Sequence, residues 1–146
     1  MSSYQGDLQY QAYILPGVSR TFALTIPVLP GRLAEVVANA YLLCRLADTI
    51  EDDVGLENEQ KSEFHRRFVS VVKGSEDADA FATALFPLLS SHVLPHERDL
   101  VENADEIIRY PSNDLFILGT VSIQVDDEIW LGGIGGRDRI ARFSVP

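Results

Sequence analysis

An all-α fold followed by a strand-like tail is what this sequence predicts, on three observations. Apolar residues recur at three- and four-residue steps through the segments up to Arg109. Proline and glycine punctuate that stretch at intervals suited to short and medium helices. After Arg109 the helical periodicity is lost, and the tail holds five of the ten glycines and the only tryptophan. Residues 1–109 therefore read as one helical region and residues 110–146 as a separate tail.

The first helix is expected over residues 7–15, closed by Pro16 and Gly17. Ser19 is placed to cap a second short helix, SRTFALTI, which Pro27 interrupts. Pro30 and Gly31 open the longest helical pattern, from about Arg32 to Asp53, with Leu33, Val36, Val37, Ala40, Leu43, Cys44 and Ala47 inward. Residues 56–73 form an amphipathic helix with Phe64, Phe68, Val71 and Val72 on one side and Gly74 as its stop. A helix over Ala78–Ser90 is expected to bend near Pro87. The last runs from Pro95 to Arg109 with Leu100, Val101, Ala104, Ile107 and Ile108 inward. In the tail, LFILGTVSIQV suits a strand, or a strand pair turning near Gly119.

At 146 residues the chain is long enough for one modest core. A net charge of −10 argues against nucleic acid as the main partner. It leaves anionic ligands open, because a divalent cation inverts the local field. One cysteine, Cys44, excludes an intrachain disulfide and makes the cytoplasm the default compartment. The N-terminus lacks the pattern of a signal peptide, and no apolar run is long enough to span a bilayer.

The stretch AYLLCRLADTIEDD ends with four carboxylates: Asp48, Glu51, Asp52 and Asp53. Acidic side chains at a helix C-terminus oppose the macrodipole, so helix stability does not explain them. Tyr41, Arg45, Asp48 and Asp52 are spaced by four, three and four residues and share one helical stripe. Asp48 and Asp52 then lie about 6 Å apart along the axis. Two carboxylates so placed suit Mg²⁺, which takes oxygen ligands and is shared with substrate phosphates. Arg45 adds a donor fork suited to diphosphate oxygens. The plainer alternative is a solvated acidic helix end with a routine Arg45–Asp48 ion pair, since a bare D-x-x-x-D is common by accident. Glu51 and Asp53 fall off the stripe and read as solvated or as supporting residues. An EF-hand fails, because aligning its glycine on Gly55 puts Ile50 at the first ligand position. His92 and His96 are four apart, but Pro95 between them makes a shared helical face doubtful and a surface role the better reading. Cys44 reads as a small core residue.

SRTF, residues 19–22, offers hydroxyls, a guanidinium and free backbone N–H groups to phosphate oxygens; the alternative is a capped helix with a surface arginine. SRTF followed some twenty residues later by YLLCRLADTIEDD resembles the squalene/phytoene synthases, the head-to-head isoprenyl diphosphate synthases. The likeness runs over roughly residues 8–109, including FVSVV, FATALFPLLS and ERDLVENADEI. It implies the N-terminal portion of the all-α isoprenoid synthase fold, with helices around an apolar cavity. By that resemblance Asp48 and Asp52 match the first aspartate-rich motif, which binds Mg²⁺ and diphosphate. Ser19 and Arg20 match the diphosphate-contacting residues, together with Arg45, and Tyr41 and Arg45 match the tyrosine and arginine of the motif helix. Phe22 and Tyr41 are the implied substrate-pocket residues, although for Phe22 and Leu43 the core is the favoured reading.

The implied reaction is Mg²⁺-dependent condensation of two prenyl diphosphates to a cyclopropylcarbinyl diphosphate, with NADPH required where squalene is the product. TIEDD is closer to squalene synthases and so points to farnesyl diphosphate. The implied partner is a prenyl diphosphate, with no nucleic acid, and with room for peripheral membrane association. The chain departs from the family in length and in lacking a second D-x-x-x-D after Asp53. Asp126, Asp127 and Glu128 sit in a glycine-flanked context that does not match the second motif. A frameshifted or truncated reading frame would produce this pattern, with impaired activity and self-association through exposed apolar faces. The alternatives are a non-catalytic helical module, or inactive fragment, whose acidic cluster binds only cations or a partner, and another class I terpenoid enzyme such as a cyclase or chain elongator, against which SRTF and the Arg45–Asp48 spacing speak.

Overall fold

The computed structural model describes residues 4–109, the side chains from residue 5 onward, and the backbone of three strands at 121–124, 128–132 and 139–144. Two compact units separate at residues 110 and 111. The first is helical: α1 (Tyr4–Val18), α2 (Arg20–Thr25), α3 (Gly31–Asp52), α4 (Asn58–Val72), α5 (Ala78–Leu85), α6 (Pro95–Glu102) and α7 (Ala104–Ile108). In the second, β1 (Val121–Gln124), β2 (Glu128–Gly132) and β3 (Arg139–Ser144) form an antiparallel sheet in that order. The expected turn near Gly119, and Asp126 and Asp127, lie outside the described residues.

Local chemistry accounts for most helix ends. The Ser19 hydroxyl oxygen accepts from the Phe22 N–H at 3.2 Å and starts α2, and a single 3₁₀ turn over Ile26–Val28 follows at Pro27. Asp77 caps α5 by accepting from the Ala80 N–H at 2.9 Å. Gly74 closes α4 at φ 77°, in the left-handed region that a side chain would strain.

Three expected boundaries shift. α1 runs through Pro16 to Val18 rather than stopping at residue 15. The amide that Pro16 lacks would have faced the carbonyl of Ala12, an exposed residue whose carbonyl water can satisfy. α5 ends at Leu85 and passes into a 3₁₀ turn over Phe86–Leu88, instead of continuing bent to Ser90. The segment from Pro95 to Arg109 is two helices. The Asn103 side-chain amide donates to the Asp99 carbonyl and carboxylate, both at 3.0 Å, and its backbone leaves helical geometry at φ −108°, ψ 32°. A side chain that competes for backbone acceptors in this way favours a break.

α3 packs against α1, α4, α6 and α7 and forms the centre of the unit. Its fully buried Leu42, Leu46 and Ile50 meet a core that includes Ile14, Phe68, Phe81, Leu85, Leu100 and Ile107. The inward face is therefore turned from the expected one: Val36, Leu43 and Ala47 are buried as read, whereas Leu33 is exposed. Ile108 is only partly buried. Polar ties hold the outer helices. The Tyr10 hydroxyl donates to Asp99 Oδ1 at 2.8 Å, and burial followed by this bond pushes the phenol's pKa up. Arg109 bridges Asp7 of α1 at 3.2 Å and Asp105 of α7 at 2.8 Å. Asn39, fully buried, donates to the Ile107 carbonyl at 2.7 Å.

Candidate diphosphate site

The last three turns of α3 present core residues on one side and the predicted stripe on the other. Burial of Leu42, Leu46 and Ile50 fixes the rotation of the helix, so Tyr41, Arg45, Asp48 and Asp52 must lie along the adjoining, partly accessible face. The structure brings three of these four together directly or across one cleft. Arg45 Nη1 stands 3.7 Å from Asp48 Oδ2. Arg45 and Asp52 line an open cleft with Thr49, Asp53, His92, Val93 and Glu97. Tyr41 sits one turn earlier, and its ring lies against Phe22 of α2 with centroids 4.6 Å apart.

The SRTF segment meets the stripe through that ring pair. Among the described residues, no hydrogen bond or ion pair joins Ser19 or Arg20 to Arg45, Asp48 or Asp52. Arg20 is exposed, and the Ser19 oxygen already serves as a cap. Phe22 is 46% exposed, so the expectation that it belongs to the core is corrected; Leu43 is a core residue. An aromatic ring left open beside Tyr41 can line a pocket.

Charge is unbalanced along the stripe. Burial pushes the Asp48 carboxyl above the usual carboxylate range; Arg45 opposes this, and Asp52, Glu97 and Glu51 add to it. A carboxylate crowded by three others takes up either a proton or a cation. Asp48 and Asp52 are the two carboxylates of the stripe, oxygen donors of the kind Mg²⁺ takes beside water and phosphate. Among the described residues no group of three or more His, Cys, Asp or Glu side chains is assembled for a metal. Burial, then Asp48, raises the Cys44 thiol to about 11, so it stays protonated and unreactive.

Two residues have roles that sequence reasoning missed. Asp53 is not solvated: it is 3% exposed and staples the end of α3 to the chain before α6. Its carboxylate accepts from the N–H groups of Gly55 and Ser90, each at 3.0 Å, and from the Ser90 hydroxyl. The approach is close enough that a Cβ on Gly55 would stand 2.7 Å from the Ser90 Cβ. Glu97, in the first turn of α6, pairs with Arg45 Nη2. Neither partnership has a periodic signal, since they join positions 37 and 52 residues apart. Glu51, also off the stripe, faces His65 of α4 at 3.8 Å. His92 and His96 are exposed, as a surface role requires.

The model of the squalene/phytoene synthase family matches residues 15–102, which contain SRTF, the whole of α3 and Glu97. The chain belongs to this family. Two relatives from Botryococcus braunii, Botryococcus squalene synthase and squalene synthase LSS, are each 42% identical to it over 55 residues. That stretch is 38% of this chain and 12% of either relative, so the matched segment spans about an eighth of their length. No solved structure matches the chain. The helical character of residues 4–108 agrees with family membership, and the matched region ends before the tail.

Proposed function

We propose that this chain carries the first diphosphate-binding wall of a prenyltransferase of isoprenoid biosynthesis, one that condenses two prenyl diphosphates head to head. The observation that carries this reading is the stripe on α3, where Arg45 stands 3.7 Å from Asp48 and lines an open cleft with Asp52, one turn beyond Tyr41, whose ring lies against Phe22. Membership of the squalene/phytoene synthase family supports the reaction class, and the squalene synthase relatives support farnesyl diphosphate as substrate.

In this reading Asp48 and Asp52 hold Mg²⁺, which supplies charge stabilisation to the departing diphosphate. Arg45 donates to its oxygens, and Ser19 and Arg20 approach it from the pocket mouth. Phe22 and Tyr41 flank the prenyl chain and exclude water from the allylic cation. NADPH is needed only where the product is squalene. The family resemblance also implies a second aspartate-rich motif facing the first, and the sequence given has no second D-x-x-x-D after Asp53. The chain by itself therefore binds diphosphate and condenses poorly.

Incubation with farnesyl diphosphate and Mg²⁺, followed by product extraction, tests the reading together with a titration of inorganic diphosphate. Mg²⁺-dependent binding that is lost in Asp48→Ala is the expected result. The same binding without Mg²⁺, or its survival in Asp48→Ala, would leave a helical module whose acidic cluster has no diphosphate role.

A further inference from the structure

Arg45 does not stand free in the cleft. Its Nη2 is held by Glu97 Oε1, and Glu97 is itself fixed because its Oε2 accepts from the Leu94 N–H at 3.3 Å. Both side chains are largely enclosed, with 25% of Arg45 and 17% of Glu97 exposed. The other terminal nitrogen, Nη1, is 3.7 Å from Asp48, too far for a hydrogen bond. It therefore keeps its donors on the side where Asp48 lies, and Asp52 lines the same cleft as Arg45. A guanidinium is a rigid fork, so pinning one prong sets the direction of the other.

We propose that Glu97 is a positioning residue for diphosphate binding, holding Arg45 by one nitrogen so that the other points along the Asp48–Asp52 edge. The inference rests on the diphosphate reading of this site. It makes a prediction opposite to simple electrostatics. If Glu97 were only a nearby negative charge, removing it would strengthen the binding of an anion. If it orients Arg45, removing it weakens that binding, because the unpinned side chain must be ordered again by the ligand.

The test is isothermal titration of the full chain with inorganic diphosphate in the presence of Mg²⁺. Glu97→Ala is expected to weaken binding about tenfold in the wild-type background and less than about twofold in Arg45→Lys, as coupled residues do. Glu97→Gln keeps an acceptor for Arg45 and for the start of α6, and should restore most of the affinity. It also guards against misfolding of the alanine variant, and thermal melting of each protein shows whether the fold is intact. Equal or stronger binding in Glu97→Ala, or a folded Glu97→Gln that binds no better than Glu97→Ala, overturns the positioning role and leaves the diphosphate site standing. An equal loss on both Arg45 backgrounds overturns it too, since Glu97 would then act through the fold alone. A wild-type chain that binds no diphosphate removes the site reading and this role with it.

Discussion

At the scale of single residues, Asp48 and Asp53 are five positions apart and titrate in opposite directions. Burial also works against the Asp53 carboxylate, but the Ser90 hydroxyl, the Gly55 and Ser90 N–H groups and Lys61 outweigh it and hold its pKa below the ordinary value. The folded chain binds that proton more weakly than the unfolded chain, so stability is present above about pH 4 and is lost as pH falls through the folded pKa. Asp53→Ala, which strands the Ser90 and Gly55 donors, should cost roughly 2 kcal/mol in urea denaturation at neutral pH. The loss should shrink as the acid range is entered. Asp48 has the reverse sign. Its proton is held more tightly in the fold, so the stability it contributes belongs to low pH and is lost as pH rises through the raised pKa. Asp48→Asn should therefore stabilise the metal-free protein at neutral pH by about 0.5–1 kcal/mol, read as a higher Tm, while abolishing Mg²⁺-dependent diphosphate binding. A stability gain paired with a binding loss is what a residue kept for its chemistry produces. The spacing of Arg45, Asp48 and Asp52 was legible in the sequence because it is local to one helix. Asp53 and Glu97 were not, because their partners come from other segments and leave no mark on periodicity.

At the scale of elements, α3 has two jobs on adjoining faces, and the sequence exposed one more clearly than the other. The length of the helix and its acidic end followed from pattern and punctuation, as did the Ser19 cap and the Gly74 stop. Its inward face was read partly wrong, because nearly every position from Leu42 to Ile50 is apolar or small and such a run supports several rotations. Tertiary contacts with α1, α4, α6 and α7 choose among them. The Asn103 break was hidden for a similar reason, since the apolar positions on either side remain in phase. The joint between α1 and α7 depends on charge. Asp7 is nearly buried, and Arg109 reaches it together with Asp105 and Glu106. A hydrogen bond shared with Asp7, then burial, raises the Glu106 carboxyl above the usual carboxylate range. Arg109→Ala leaves the acidic group without its cation and should cost on the order of 2 kcal/mol in urea denaturation at pH 7.

At the scale of the molecule, a net charge of −10 coexists with a cluster of open apolar side chains near the α2–α3 junction. Leu24 and Val28 are 79% and 81% exposed, and Phe22 adds an aromatic face. Self-association through this face remains our proposal, and it makes a separable prediction. Leu24→Glu and Val28→Glu should each change unfolding stability by less than about 0.5 kcal/mol. Together they should lower the concentration-dependent mass seen in sedimentation; unchanged sedimentation would count against this face. The all-α character of the first unit and the strand-like character of the tail were both evident from the sequence, because hydrophobic period and glycine content report them directly. The ties that close the unit were not, and the Asp7–Arg109 bridge, 102 positions apart, has a kinetic meaning. During synthesis α1 emerges first but finds its polar partners only when Asp99 and Arg109 have left the ribosome. Until then Asp7 and Tyr10 have no anchor, and the part of α1 that meets α6 and α7 waits uncovered while α2 and α3 pack on the rest. Closure of this unit is a late, long-range event, and a nascent chain stalled before Arg109 should be open to protease within α1.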